Sequence, residues 1–478
     1  MTQALVELQN VSFIHNFEFV LNDFSWCWKK GLSFALMGKS GSGKSLLAEI
    51  FCDLTKVSKG TVVRNEKIAY VSLKQQKLIL LNEERNDMSE IMDGKADPGT
   101  LAKDIILEGK QPTEEYLNYL KLFQCEHIQE RGFKYLSTGE TRKTLLIKAL
   151  ISGSKSLVLD EPYEGLDVNS RECLKNILDS KVQSGYQLCI IVNRKEDVPK
   201  SIKKLVVLDS GKIEYQGDLN EWVVEEVLES KGQQACSFFE TKDEKAEIQK
   251  EILIEMNDVN VNYESTCVLK NLNWKVVAGQ HFQVSGPNGS GKSTLLSLIS
   301  GDNPKAFGQA IKLFGIQKGS GESVWELKKK MGIVSSSFHL TYREAISVYN
   351  VVLSGFFDSV GLYKHAGGKQ LEDAKKLIED CGMKEVLHTN FQDLSYGLQR
   401  MVLILRALVK KPKLLLLDEP CQGLDGQLNG RVLTLIDFIA TMHETTIIYV
   451  SHLKEDGLKS IKNFLELDMN GAYKLTHV

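Results

Sequence analysis

Two lysines, each closing a glycine-rich octet, are the first residues in this 478-residue chain whose types and spacing could do chemistry. The first octet reads Gly38-Lys-Ser-Gly41-Ser-Gly43-Lys44-Ser45; the second reads Gly286-Pro-Asn-Gly289-Ser-Gly291-Lys292-Ser293, followed by Thr294. Glycines at these places let the backbone curl so that successive N–H groups face a phosphate at a helix N-terminus. The lysine then reaches the β and γ phosphates, and the serine hydroxyl is an oxygen ligand for Mg²⁺. Downstream of each octet an apolar run ends in two carboxylates and a proline, Asp160-Glu161-Pro162 and Asp418-Glu419-Pro420. The aspartates suit support of the Mg²⁺ ligand set, together with Ser45 and Ser293. The glutamates are placed to orient or deprotonate an attacking water. That combination implies hydrolysis of a nucleoside triphosphate with Mg²⁺ as cofactor.

The elements that must position these groups are written twice in the same order. A strand-like segment opens each copy (Leu5 to Phe13, Ile252 to Val261), and a second strand (Ser33 to Met37, His281 to Ser285) runs into the glycine loop. Strand, glycine loop and helix in succession indicate a P-loop α/β fold. The aliphatic runs Leu157 to Leu159 and Leu414 to Leu417 read as fully buried parallel strands. The stretch between phosphate loop and carboxylates is more helical, as at Thr113 to Phe123 and Ala374 to Asp380, and reads as a helical subdomain inserted into each copy. The second copy is longer there by about ten residues. The expected organisation is a first nucleotide-binding domain over 1–225, a solvated linker of dense mixed charge over 226–250, and a second nucleotide-binding domain over 251–478.

Before each carboxylate pair lie Leu136-Ser137-Thr-Gly139-Glu140 and Leu394-Ser395-Tyr-Gly397-Leu398, and after it Gly165-Leu-Asp167 and Gly423-Leu-Asp425. Here the sequence resembles the ATP-binding-cassette family, whose signature is Leu-Ser-Gly-Gly-Gln. The resemblance implies two P-loop domains paired head to tail, each signature capping the nucleotide held by the other copy. Site one would combine Lys44, Ser45, Asp160 and Glu161 with Ser395 and Gly397; site two would combine Lys292, Ser293, Asp418 and Glu419 with Ser137 and Gly139. The family's γ-phosphate histidine is matched by His452 in Tyr449-Val-Ser-His452, whereas the first copy reads Ile191-Val-Asn193-Arg194. Asparagine donates a hydrogen bond but cannot carry histidine's proton near neutral pH. Site two is therefore expected to be the faster hydrolytic site. Tyr263 takes the family's adenine-stacking position, aligned with His15 in the first copy. The family's nucleotide-sensing glutamine is offered by Gln75 or Gln76, while the second copy reads Gly332-Ile-Val-Ser-Ser-Ser-Phe338 with none.

The segments Phe133 to Leu146, Gly319 to Lys328, Val334 to Arg343 and Leu353 to Gly361 resemble more closely a tandem-cassette subgroup of that family linked to molybdate uptake. This implies an energy-coupling subunit with integral membrane permease partners. The other two readings are a cassette ATPase acting on nucleic acid or ribosomes and a slow regulatory nucleotide switch. Lys+Arg 59 against Asp+Glu 62, a net charge of −3, gives no whole-chain reason to expect a polyanion. The linker is also short and mixed in sign rather than basic. Nine scattered cysteines with no Cys-x-x-Cys pair argue against a zinc site or a disulfide framework. With no basic-then-apolar leader at the start and no apolar run near ~20 residues, the expected place is the cytosol, peripheral to the inner face of a membrane where a partner spans it.

Overall fold

The computed structural model describes residues 3–15, 18–39, 41–86, 97–222, 238, 251–263, 266–321, 323–335, 338–339, 342–421, 424, 426–441, 445–451 and 458–477. The chain divides into two compact units, the first built mainly on Met1–Val227 and the second on most of the chain that follows.

In the first unit a six-stranded sheet runs Ile68–Val71, Ser156–Asp160, Gln187–Ile191, Phe34–Gly38, Lys204–Asp209, Lys212–Asp218. All neighbours are parallel except the last pair. Ser156–Asp160 and Gln187–Ile191 are buried at every position, which is why they read as unbroken aliphatic runs rather than alternating ones. A three-stranded antiparallel sheet of Glu18–Lys29, Ala4–His15 and Lys59–Arg64 stands beside it. The two share a core in which Trp26 and Trp28 meet Phe34 edge-on at 5.1 and 5.3 Å, with Phe51 from the phosphate-loop helix closing the cluster. Burial of aromatics on this scale, at about 25 cal/mol per Å², fixes the position of the strand that feeds the glycine loop.

The second unit repeats the order: Met331–Val334, Leu414–Asp418, Thr446–Val450, Phe282–Ser285, Asn463–Leu467, Tyr473–His477. Its antiparallel sheet has four strands, Thr266–Val277, Ile252–Tyr263, Ala310–Leu313 and Ile316–Gln317. Trp274 and Phe282, 5.3 Å apart and edge-to-face, take the part of the first unit's aromatic cluster.

Helices fill the inserted region of both copies. Leu73–Arg85, Ala102–Leu107 and Glu114–Leu122 precede Thr138–Leu150, and Val348–Ser354 and Gly368–Asp380 precede Tyr396–Leu408. Thr113 caps its helix by accepting from the Tyr116 N–H at 3.2 Å, with Glu114 and Glu115 in the first turn where the helix dipole favours them. Gly368–Asp380 buries only Ala374, Leu377 and Ile378, a narrow stripe on an otherwise polar helix. The charged segment 226–250 lies outside the described residues apart from Phe238. That residue is 4% exposed and donates its N–H to Asp380 Oδ2 at 2.8 Å, so at this point the segment packs on the second unit instead of running through solvent. Among the described residues no helix is long and apolar enough to cross a membrane.

Candidate nucleotide sites

Both glycine loops owe their shape to backbone positions that a side chain would spoil. A Cβ at Gly38 would lie 2.0 Å from the Leu208 carbonyl oxygen, and one at Gly286 would lie 2.4 Å from that of Leu467. Gly43 (φ 98°) and Gly291 (φ 94°) begin the helices Lys44–Phe51 and Lys292–Ser300 from the left-handed region, which glycine enters without steric cost. Gly41 and Gly289 also have positive φ, 80° and 83°. The loop therefore turns directly into a helix N-terminus, the arrangement that binds anions. Lys44 Nζ donates to the carbonyls of Gly38 (2.7 Å) and Lys39 (2.8 Å), and Lys292 Nζ donates to those of Gly286 and Pro287 (both 2.8 Å). Each ammonium is thus folded over its own loop, with 8% and 6% of its residue exposed. Ser45 and Ser293, the next residues, are exposed in the first helical turn, with Thr294 half-buried behind Ser293.

Asp160 ends its strand facing this loop. Burial pushes its carboxyl above the usual carboxylate range, against the Ser45 hydroxyl that hydrogen-bonds it and the nearby Lys44 ammonium. Glu161 is pushed up to about 8, first by burial and then by the charges of Glu164 and Asp160, while Lys44 and a hydrogen bond from Asn193 oppose the shift. That bond runs from Asn193 Nδ2 to Glu161 Oε1 at 2.9 Å. The first unit therefore gathers Lys44, Ser45, Asp160, Glu161 and Asn193 into one connected group.

The two glutamates share a backbone device. Glu161 (φ 48°) and Glu419 (φ 50°) are both left-handed, an uncommon state for a residue with a side chain. Each donates its N–H to the neighbouring strand at 3.0 Å, to Ile191 O and Val450 O respectively. Each also has its carbonyl held by a fully buried arginine: Arg142 Nη2 to Glu161 O at 3.2 Å, and Arg400 Nη2 to Glu419 O at 2.7 Å. Arg400 reaches Asp418 O (2.7 Å), Pro420 O (3.3 Å) and Ser335 O (2.9 Å) as well. Sequence reasoning missed both arginines. The available signal was an arginine recurring five residues after each signature serine.

Ser137 and Ser395 are the N-caps of those same helices, Thr138–Leu150 and Tyr396–Leu408, with Gly139 and Gly397 buried in the first turn. Ser137 is in a reciprocal capping box: its Oγ accepts from the Glu140 N–H at 3.3 Å, and Glu140 Oε2 accepts from the Ser137 N–H at 2.8 Å. Burial alone would raise the Glu140 carboxyl, but His127 (3.2 Å), the Ser137 N–H and Arg131 (3.1 Å) outweigh it and hold the group at about 2. Ser395 Oγ accepts from the Leu398 N–H at 3.4 Å, and leucine has nothing to return.

Of the remaining sequence candidates, Tyr263 ends its strand at the hairpin tip, 42% exposed, its hydroxyl accepting from Asn303 Nδ2 at 2.8 Å. His15 ends the matching strand of the first unit. Asp167 N-caps Val168–Gln183 through the Ser170 N–H at 2.8 Å. His452, Gly423 and Asp425 lie outside the described residues. Gln76 is fully buried on Leu73–Arg85 and donates to Thr141 Oγ1 at 2.6 Å. Counting from the matched strand ends Val71 and Val334, His339 stands in its place, and its Nε2 meets Gln399 Oε1 at 3.1 Å, at the position matching Thr141. The second copy therefore has a polar pair where its sequence shows no glutamine, with the long amide moved to the other partner.

Two parallel-sheet units, each with a glycine loop, an Asp-Glu strand end and a serine-glycine helix start, define a tandem ATP-binding cassette protein. The family model described as ABC transporter matches residues 21–164 and 269–422; the chain belongs to that family, carries its ATP-binding domain twice and is an ATPase. It is similar to the ABC transporter ATP-binding protein ModF of Escherichia coli K12, 38% identical over 463 residues covering 94% of each chain. It also resembles the zinc uptake system ATP-binding protein ZurA of Listeria monocytogenes, 36% identical over 204 residues, 42% of this chain and 76% of that one. A crystal structure of the archaeal ribosome recycling factor aABCE1 with the ribosomal stalk protein aP1 superimposes with a TM-score of 0.57 at 15% identity. The match covers 98% of this chain and 89% of that one, and shows a shared tandem fold and nothing of function.

Proposed function

We propose that this chain is the ATP-hydrolysing, energy-coupling component of a membrane uptake system for an oxyanion, molybdate being the cargo implied by the subgroup resemblance. The observation that carries the reading is the end-to-end similarity to ModF, 94% of both chains. Similarity of one cassette's length to a zinc-uptake ATPase supports a transport role without fixing the cargo.

In this reading ATP is held at two composite sites, each built from one copy's phosphate loop and the other copy's signature serine and glycine. Lys44 and Lys292 turn from their loop carbonyls to the β and γ phosphates. Glu161 and Glu419 accept the proton of the attacking water at a carboxylate oxygen; at site one Oε1 already carries the Asn193 hydrogen bond, leaving Oε2 for the water. His452 assists at site two, and Tyr263 stacks the base there. The donor set fits Mg²⁺: Ser45 hydroxyl against a buried Asp160 carboxylate beside Lys44 is oxygen-only, and a cation would offset the burial that pushes Asp160 up. Ser45 with Asp160, and Ser293 with Asp418, would hold the ion, which when bound neutralises phosphate charge and favours departure of the γ phosphoryl group.

The test is a pull-down from cells with Glu419→Gln in the presence of ATP. Recovery of an integral membrane protein supports transport. Association with ribosomes or nucleic acid that weakens steeply with salt overturns it in favour of the second reading. Slow turnover of the unsubstituted chain, with no partner recovered in either fraction, overturns it in favour of a regulatory switch.

A further inference from the structure

One polar chain in the second unit links the phosphate-loop helix to the tip of the neighbouring sheet. Ser297 lies on the helix Lys292–Ser300, five residues past the phosphate-loop lysine. Asn303 Nδ2 donates both to Ser297 Oγ at 3.0 Å and to the Tyr263 hydroxyl at 2.8 Å. Asn303 is 7% exposed, and its Oδ1 accepts from the Lys305 N–H at 3.0 Å, so one side-chain amide fixes the helix, the tyrosine and the lysine backbone together. The Lys305 ammonium then lies over the Tyr263 ring, 5.1 Å from its centroid. The hairpin that carries Tyr263 abuts the loop directly: a Cβ on Gly291 would come within 2.6 Å of Val268 Cγ1.

Among the described residues the first unit shows a different arrangement at the matching positions. Aligned on the phosphate-loop lysines, Glu49, Thr55 and Val57 replace Ser297, Asn303 and Lys305. There Thr55 Oγ1 donates to Glu49 Oε2 at 2.6 Å, and Lys74 Nζ donates to Glu49 Oε1 at 2.8 Å, which ties the phosphate-loop helix to the start of Leu73–Arg85 instead of to an aromatic ring.

We propose that Asn303 and Lys305 are positioning residues for the nucleobase at the second site, Asn303 fixing the tilt of the Tyr263 ring and Lys305 covering one face so that a base stacks on the other. A phenol held at its oxygen and capped by a cation on one side loses little freedom when a flat ligand arrives, so more of the stacking energy appears as affinity. This rests on the assignment of Tyr263 to the base. The base site would then be pre-formed in the second copy and not in the first.

The experiment is calorimetric titration of the full chain carrying Lys44→Ala, in EDTA so that no turnover occurs, with ATP and separately with inorganic tripolyphosphate, which has the phosphates and no base. Tyr263→Ala is expected to weaken ATP about tenfold, on the scale of one base–aromatic stack. Lys305→Met is expected to weaken it about threefold, the size of an exposed cation–π contact. Asn303→Ala loses the hydrogen bond to Tyr263, and should fall between them. Tripolyphosphate affinity should be unchanged in all three. If Tyr263→Ala weakens ATP while Lys305→Met and Asn303→Ala do not, the positioning role is overturned and the base assignment stands. If Tyr263→Ala leaves ATP unaffected, the base assignment itself fails. Equal losses for ATP and tripolyphosphate would place these residues in phosphate binding or folding and overturn the proposal.

Discussion

The nucleotide ends of the two units agree in backbone and part company in side chains. Glu161 and Glu419 are both left-handed, both bonded to the next strand at 3.0 Å, and both held at their carbonyls by a buried arginine from the signature helix. Around that shared frame the polar groups are dealt differently. Gln76 meets Thr141 where His339 meets Gln399, and Glu49 ties to Lys74 where Ser297 ties to Asn303. Glu140 has Arg131 and His127, whereas in the second copy the matching positions hold Leu398, Thr389 and Glu385. Tyr163 follows the first carboxylate pair, and Cys421, which accepts a hydrogen bond from the Tyr449 hydroxyl at 3.8 Å, follows the second. A backbone arrangement that places a carboxylate at a strand end tolerates few substitutes. A buried hydrogen bond only needs a donor and an acceptor, and either partner can supply either. Partners can therefore exchange in pairs within a constant fold, and the exchanges accumulate where the two sites can come to differ in rate.

The largest effect that bears on this comparison should come from the buried arginines. Arg142→Ala and Arg400→Ala each remove a fully buried cation from the glutamate carbonyl it holds, at a cost of roughly 3–5 kcal/mol. Denaturant unfolding, followed with reporters in each unit, should show each variant destabilising its own unit by a similar amount. A loss below about 1 kcal/mol in either unit would break the claim that the clamp is shared.

A smaller effect should separate the signature helices. The Glu140 carboxyl is held at about 2, below its ordinary 4.5, because the Arg131 and His127 contacts and the Ser137 N–H outweigh its burial. A carboxyl depressed in the folded state contributes stability above its unfolded value, and that contribution is lost as pH falls toward the folded one. Its size is on the order of 2–3 kcal/mol at neutral pH. Glu140→Gln should therefore lower the melting temperature at pH 7, with the gap closing as pH falls from about 4.5 toward about 2. A gap that stays constant or widens on acidification contradicts the assignment. Leu398→Glu should gain nothing comparable, because Thr389 and Glu385 offer no cation.

Much of the frame was legible in the sequence because it is local. Glycine loops, the aliphatic runs ending in Asp-Glu, and a serine followed two residues later by glycine are short patterns with one physical use each. The runs Leu157 to Leu159 and Leu414 to Leu417 lie within buried parallel strands, Ser156–Asp160 and Leu414–Asp418. What the sequence hid depends on partners distant along the chain. Arg142 and Arg400 look like helix-surface cations until the strand ends they hold are placed beside them, 19 residues on in each case. His339 does not read as the counterpart of Gln76 by type, only by its position after the strand end and by its contact with Gln399, 60 residues away. Phe238 sits in a segment whose charge density argues for solvent, yet one aromatic ring is buried there, with Lys411 Nζ 4.8 Å from its centroid.

Unequal sites are the core of this picture, and turnover of two single variants tests them most directly. Steady-state ATP hydrolysis by the full chain should fall roughly a hundredfold in Glu419→Gln, as expected for loss of a general base at the faster site. In Glu161→Gln, where asparagine stands in the histidine position, most of the activity should remain. Equal losses from the two substitutions would contradict it.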